Sequence, residues 1–298
     1  MNNVKKYFSI RDLENLSGIK AHTIRIWEKR YGLLTPERTS TNIRTYSLSS
    51  LQKLLNITLL YNNGYKISKI AKIPEAEIPL IVREIVAKNS TNNHAINAFK
   101  LSMINFDPSL FQNTYNGLLA EKSFREIFWE DLIPLLNELG LLWQTDTINP
   151  SHEHFITNLI KQKIYTSTEK LQLMRPTQHD KVFVLFLPEN EIHEIGLLFL
   201  NYEIMLRGYK TIYLGQTMPL EDLADLQSYY KNLHFLSYFT VVPTKDRLGK
   251  YMDDFTKIMN NGDCKLWVLG RQIQHIKKEK LPSHIRTFES IEELSKAL

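Results

Sequence analysis

The chain has a single cysteine in 298 residues, Cys264, so no internal disulfide can form and the fold must be held without covalent crosslinks. Cys264 opens an apolar run that ends at Leu269, which suits a small buried hydrophobe. No charged-then-apolar leader starts the chain and no long uncharged apolar stretch occurs in it, so a cytoplasmic location away from any membrane is expected. A heptad pattern long enough for an antiparallel dimer helix is also missing. The shortage of cysteine bears on metals too. His152 and His154 sit two apart where a helix starts, which puts them on different faces, and no cysteine completes a zinc site.

Basic charge is present in excess but unevenly placed. Residues 1–75 hold 13 Lys and Arg against 5 Asp and Glu, a balance of +8; the whole chain is +5, leaving −3 for residues 76–298. A basic first quarter is the electrostatic footprint of a nucleic-acid-binding module. Its pattern agrees. Ser9 is a cap residue, and Ile10, Leu13 and Leu16 share one helical face. Gly18 breaks that helix, and Thr23 to Arg30 reads as a second one with Ile24 and Trp27 inward. Helix, tight glycine turn, helix is the plan whose second helix enters the major groove of DNA. The turn-rich stretch from Tyr31 to Tyr46 then reads as a hairpin-like wing with arginines at 38 and 44. Helices are expected over Ser49 to Asn62 and Ile67 to Ile73, parted by Gly64.

The run T-I-R-I-W-E-K-R-Y-G-L-L-x-P-x-R, followed by N-x-R-x-Y, resembles the MerR family of winged-helix transcription regulators from about Tyr7 to Ile73. The resemblance implies that Thr23 and Arg25 face DNA from the recognition helix. It also implies that Arg38, Arg44 and Tyr46 hold phosphates from the wing, with Trp27 and Tyr31 as packing residues. The expected partner is a double-stranded DNA operator. Familiar members dimerise through a long helix after this head; here Pro74, Pro79 and the polar stretch Asn89 to His94 follow instead, so residues 76–94 read as a linker.

Beyond it the chain divides again. Ala95 to Ile104, Asp107 to Glu121, Ser123 to Leu142 and Pro150 to Leu173 carry apolar residues at helical spacing, enough for a four-helix bundle over residues 95–178. Residues 179–298 alternate strands and helices, with strands at Lys181–Leu187, Lys210–Leu214, His234–Phe239, Lys265–Leu269 and, weakly, Ile285–Phe288. That alternation implies a parallel sheet of flavodoxin-like, Rossmann-like order. The fold class is therefore multidomain, α and α/β.

The loop leaving the first of these strands reads Glu191-Ile-His193-Glu-Ile-Gly196, with a helix expected from Ile195 to Arg207. Loops at the carboxyl ends of strands are where open α/β sheets bind ligands. An imidazole there can give one ring nitrogen to a metal while Glu191 accepts a hydrogen bond from the other. Gly196 leaves room for a bulky neighbour.

This stretch resembles the D-x-H-x-x-G signature of cobalamin-binding domains, with Glu in the Asp place. The resemblance implies that His193 is the lower ligand to cobalt, in place of the cofactor's benzimidazole. Ser237 and Gly270 match its later loops. The departures are Phe239 at the end of Ser237-Tyr-Phe239, where the family has S-x-L, and Arg271 where it has a second glycine.

Trp143, followed after nine residues by Glu153-His154, is similar to the W-x9-E-H pattern of the light-responsive CarH/LitR branch of MerR regulators. That implies a bundle lying over the upper face of adenosylcobalamin. Trp143 would cover the adenosyl group, with Glu153 and His154 at its edge. Gln144 departs from that branch, which has a His there. The combined expectation is a regulator, not an enzyme, that represses transcription, senses adenosylcobalamin and light, and works as a dimer or tetramer. The alternative is a MerR-type regulator whose α/β domain is degenerate, binding another cobalamin, another small ligand or nothing, and serving oligomerisation.

Overall fold

The computed structural model describes residues 7–39, 42–82, 92–144, 148–259, 264–276 and 281–298. The chain divides into two compact units, Met1–Ile160 and Lys161–Leu298. That division does not follow the segments expected from the sequence. The head and most of the helical segment share one unit, and the cut falls inside a long helix rather than at 178/179. Of the expected linker, residues 83–91 lie outside the described residues.

The first unit opens with β1 (Tyr7–Phe8), α1 (Ile10–Ser17), α2 (Ala21–Tyr31), β2 (Glu37–Arg38), β3 (Arg44–Ser47), α3 (Leu48–Asn62) and the short α4 (Ile67–Ile70). Strand β3 pairs antiparallel with both β1 and β2, forming the wing. Ser9 and Asp12 close a capping box on α1, and Gly18, at φ 72°, ends it. The turn angle is then set by Glu14. Its carboxylate accepts the Ala21 N–H at 3.1 Å and Lys20 Nζ at 3.0 Å. It thereby satisfies a donor at the start of α2, where Lys20 supplies no capping side chain. Hydrogen bonds from Lys20 and Ala21 hold the Glu14 carboxyl below its ordinary range. Leu13, Leu16, Ile24, Leu51 and Leu54 are fully buried beneath the turn.

The same unit continues through α5 (Asn92–Asn105), α6 (Pro108–Leu119) and α7 (Phe124–Ile127). A π-turn (Phe128–Leu132) leads on into α8 (Ile133–Gln144) and then α9 (Pro150–Gln172). Helix α5 begins before the expected Ala95. Asp107 caps α6 through the Leu110 N–H at 3.0 Å, with Pro108 in the first turn. The helix expected over Ser123 to Leu142 is interrupted by the π-turn, where buried Asp131 takes Lys122 Nζ at 3.1 Å.

The second unit holds β4 (Gln178–Pro188), α10 (Ile195–Leu206), β5 (Tyr209–Met218), α11 (Leu226–Tyr229), β6 (Leu233–Tyr238), α12 (Leu248–Ile258), β7 (Lys265–Leu269), β8 (Ile285–Thr287) and α13 (Ile291–Ala297). Its five strands are parallel in the order β5-β4-β6-β7-β8, the flavodoxin-like order. Side chains alternate across the sheet. Val184, Phe186, Phe235 and Phe239 pack on one face with Met252 and Phe255 of α12. Phe183, His234 and Trp267 meet on the other, with ring centroids 5.3 to 5.6 Å apart. Burial lowers the pKa of His234 there. Because β4 lies between β5 and β6, the chain reverses direction across the sheet at β4. The crevice at the carboxyl ends of β4 and β6 is therefore the topological switch point. No helix among the described residues is long and apolar enough to cross a membrane.

Gly270 closes β7 at φ 104°, and a Cβ there would lie 2.4 Å from the Phe239 carbonyl oxygen. That peptide cannot retreat, since the Phe239 N–H donates to Leu269 O at 2.7 Å and its carbonyl accepts from the Gln272 N–H at 3.0 Å. Gly270→Ala should therefore destabilise the second unit by roughly 3 kcal/mol or more, the sum of a left-handed penalty and a backbone clash. Gly64→Ala has a comparable φ, 83°, but open space around it. It should cost only about 1–2 kcal/mol. Urea denaturation of both variants checks the difference; equal costs would mean that the close approach at Phe239 is not tight.

Candidate functional site

The loop between β4 and α10 is organised by Glu191, which is fully buried. One carboxylate oxygen accepts the N–H of Ile192 at 3.0 Å and of His193 at 3.1 Å, and meets His193 Nδ1 at 2.6 Å. The other accepts three backbone N–H groups from the loop after β6: Thr240 at 3.2 Å, Val241 at 2.6 Å and Val242 at 2.9 Å. Burial alone would push this carboxyl up. The hydrogen bonds from His193 and from the Val242, Val241 and His193 amides outweigh it and hold the pKa at about 2. Glu191 is thus an ionised, acceptor-only group. His193 Nδ1 must then carry the ring proton, which in a neutral imidazole puts the lone pair on Nε2. The His193 side chain is about half exposed, at 52%. A carboxylate-oriented imidazole with its lone pair on the outer nitrogen is the donor arrangement that a metal-bound histidine requires.

Glu194 flanks the imidazole on the other side of the sequence. It is buried and takes Lys161 Nζ at 2.9 Å and the Tyr213 hydroxyl at 3.2 Å. Burial and this carboxylate push Tyr213 well above its ordinary range. Sequence reasoning missed Glu194, because a motif position written as x carries no chemistry until its neighbours are known.

The residues matching the later loops behave differently from expectation. Ser237 is fully buried and its hydroxyl donates to Phe186 O at 2.9 Å, so it ties β6 to β4 and is not presented to a ligand. Gly270 is accounted for by its positive φ and by the Phe239 backbone rather than by a cofactor. Phe239 points into the core, edge-on to Tyr251 at 5.3 Å, and does not obstruct the crevice. Arg271 is exposed. The bulky neighbour at Gly196 is Tyr238: a Cβ on residue 196 would lie 2.7 Å from its Cε2. Strand alternation puts Tyr238 on the opposite face from Ser237 and Phe239, which is why a tripeptide motif does not single it out.

In the helical segment, Trp143 lies in α8, but its side chain and that of Gln144 are outside the described residues. Glu153 and His154 stand in the first turn of α9, Glu153 partly exposed and His154 exposed, with His154 Nε2 3.8 Å from Glu153 Oε2. His152 is buried, stacked on Phe106 at 4.8 Å, with neither ring nitrogen hydrogen-bonded, and burial lowers its pKa. Among the described residues no group of three or more His, Cys, Asp or Glu is placed to hold a metal ion.

In the N-terminal head, Arg25 is exposed on α2, Thr23 is partly buried beside it, and Arg38 is exposed in the wing, where it donates to Asn42 Oδ1 at 2.6 Å. Tyr46 is a correction. It is fully buried and its hydroxyl donates to Glu28 of α2 at 3.0 Å, so it packs the wing against the helix instead of holding a phosphate. Burial, then the Glu28 hydrogen bond, pushes its pKa above the ordinary value. Arg44 Nε donates to the other Glu28 oxygen at 3.2 Å. Wing and recognition helix are thereby locked through one carboxylate.

Residues 8–77 match the MerR HTH family regulatory protein profile, and residues 95–166 match the B12 binding domain profile. The chain is 27% identical over 225 residues to the HTH-type transcriptional repressor CarH of Myxococcus xanthus, covering 74% of each chain. It is 25% identical to the repressor CarA of the same organism, over 72% of this chain and 70% of that one. The fold is also similar to that of the monomethylamine corrinoid protein of Methanosarcina barkeri, with a TM-score of 0.57, 13% identity, and 70% and 98% of the two chains covered. A MerR-type helix-turn-helix head and a B12-binding domain are thus joined in this one chain, which is similar to the repressors CarH and CarA over most of its length.

Proposed function

We propose that this protein is a sequence-specific DNA-binding repressor that senses adenosylcobalamin through His193 and, through that ligand, light. The observation that carries the reading is the Glu191–His193 pair at the switch point of a flavodoxin-like sheet. Similarity to two repressors, and to B12-binding domains in the helical segment, supports a regulator rather than an enzyme. In this reading residues 1–75 bind the operator, residues 95–178 cap the ligand and residues 179–298 hold it, in a cytoplasmic dimer or tetramer. Bound adenosylcobalamin supplies a cobalt–carbon bond that light can break. His193 gives its outer nitrogen to cobalt, and Glu191 fixes the tautomer and raises its basicity. Trp143 covers the adenosyl group, and Glu153 and His154 meet its polar edge. A ligand that favours the oligomer shifts the population toward it, and several heads acting together raise affinity by effective concentration. The Tyr238 ring against Gly196 favours a second reading, in which the α/β domain serves oligomerisation or takes a different small ligand.

Two tests address the head and the loop. Arg25→Ala should weaken operator binding and relax base preference. Arg38→Ala should weaken binding to all sequences alike and reduce the salt slope by about one unit. Footprinting at several salt concentrations separates the two, and unchanged binding by both would remove the assignment of this face to DNA.

At the loop, His193→Ala should stay folded while losing the His-ligated visible spectrum. Glu191→Gln should bind adenosylcobalamin roughly tenfold to a hundredfold more weakly, as expected for loss of an orienting partner. The folded pKa of Glu191, about 2, lies below its ordinary 4.5. Its stabilisation, on the order of 3 kcal/mol, is therefore complete above pH 4.5 and is lost as pH falls through 2. Acid titration of wild type followed by circular dichroism should show this loss between those values. Glu191→Gln should be less stable at neutral pH and flatter across that window; an unaltered acid limb would mean that the carboxylate is not held as described.

A further inference from the structure

The further inference rests on the reading of α2 as the helix that enters the major groove of the operator. At about 100° of rotation per residue, His22, Ile26 and Lys29 form one stripe along α2, opposite Ile24 and Trp27. Ile24 is fully buried and Trp27 is buried beside it, so the core of the head holds that side and turns the stripe outward. His22 and Lys29 are exposed, as is Arg25 on one flank of the stripe. Thr23 falls on the other flank and is partly buried. The middle of the outward face is therefore not a polar side chain. It is Ile26, 41% exposed and framed by His22, Arg25 and Lys29.

The direction of this face is fixed. Glu28 of α2 accepts from Arg44 at 3.2 Å and from Tyr46 at 3.0 Å, and Glu14 of α1 accepts the Ala21 N–H at 3.1 Å. The helix cannot roll to hide Ile26 without breaking those bonds. A single exposed apolar side chain is ordinary on a protein surface. Ile26 differs in standing at the centre of a face flanked by two cations, on the helix that the fold presents to a groove. An isoleucine has no donor or acceptor, so it cannot read the hydrogen-bonding pattern of the base edges. The apolar group that base pairs offer in the major groove is the C5 methyl of thymine. Branching at Cβ holds χ1 nearly fixed, which confines the contact to one place along the groove.

We infer that Ile26 is a specificity-determining residue that selects thymine in the operator by apolar contact with its methyl group. Cytosine in the same place presents an N4 amino donor, which the isoleucine would strip of water without pairing. Selection thus has an attractive part, the buried methyl, and a repulsive part, the unpaired donor. Neither part involves a phosphate, so both act on sequence preference and leave the salt dependence of binding unaltered.

The test first selects binding sites from a pool of random-sequence duplex DNA, using full-length protein in darkness with adenosylcobalamin added. The strongest site is then remade with deoxyuridine in place of each thymidine in turn, which removes the methyl and nothing else, and affinities are measured by fluorescence anisotropy. Wild type should lose about threefold to fivefold at one thymine of each half-site, the factor expected for one buried methyl. Ile26→Ala should bind the thymine and uracil forms alike at that position and keep the wild-type salt slope. If no uracil substitution weakens wild type, the inference is overturned while the selected site upholds the assignment of α2 to DNA. If Ile26→Ala stays as sensitive to uracil as wild type, another side chain reads the methyl and the inference is likewise overturned. If full-length protein enriches no sequence from the pool, the inference and the operator-binding reading fall together. Should Ile26→Ala not fold, the uracil series on wild type, repeated with the conservative Ile26→Val, decides: loss of sensitivity in neither overturns the inference.

Discussion

The second unit is organised by an ionised carboxylate with no exposure to water. Glu191 brings a full charge inside the protein and surrounds it with five backbone N–H groups and one imidazole nitrogen. Left unpaired, such a charge would cost several kcal/mol. Saturated as it is, it compels the loop after β4 and the loop after β6 to sit together, and it sets the orientation of His193. The same bonds fix the end of β6, and hence the place of Tyr238. One anion thus sets the tautomer and orientation of an imidazole and the close approach of the two loops beside it.

A chain with a single, buried cysteine has no covalent means of holding loops. Carboxylates take that part repeatedly. Glu14 joins the end of α1 to the start of α2, Glu28 joins the recognition helix to the wing through Arg44 and Tyr46, and Glu194 joins the ligand loop to Lys161 and Tyr213. Each joins its own element to donors on at least one other, so each fixes an angle or a register that hydrophobic packing leaves loose. In the head, Arg25 of α2 and Arg38 of the wing therefore stand on elements that Glu28 ties together.

Periodicity carried the architecture well. The strand run at β4, the glycine-broken helices of the head and the β–α alternation after residue 179 place the elements within a few residues of where they lie. The contact between His193 and Glu191 was legible for the same reason: the two residues lie two positions apart in one loop. What could not be read was direction. Tyr46 looks like a wing residue in sequence, yet it faces inward because β3 pairs on both sides and packs on α2. Ser237 and Gly270 serve neighbouring strands, which only the sheet order brings beside them. Phe239 looks like the obstruction by size, but alternation sends it to the core and sends Tyr238 against Gly196.

In the proposed function the protein, and not the cofactor's own base, supplies the nitrogen to cobalt. Nuclear spin distinguishes the two directly. Protein labelled with nitrogen-15 only in histidine, saturated with cobalamin in its paramagnetic cobalt(II) state, should show each axial electron-spin-resonance line split into a doublet by the His193 nitrogen, and His193→Ala should abolish that splitting. Triplets, the signature of the unlabelled benzimidazole nitrogen, would contradict the account.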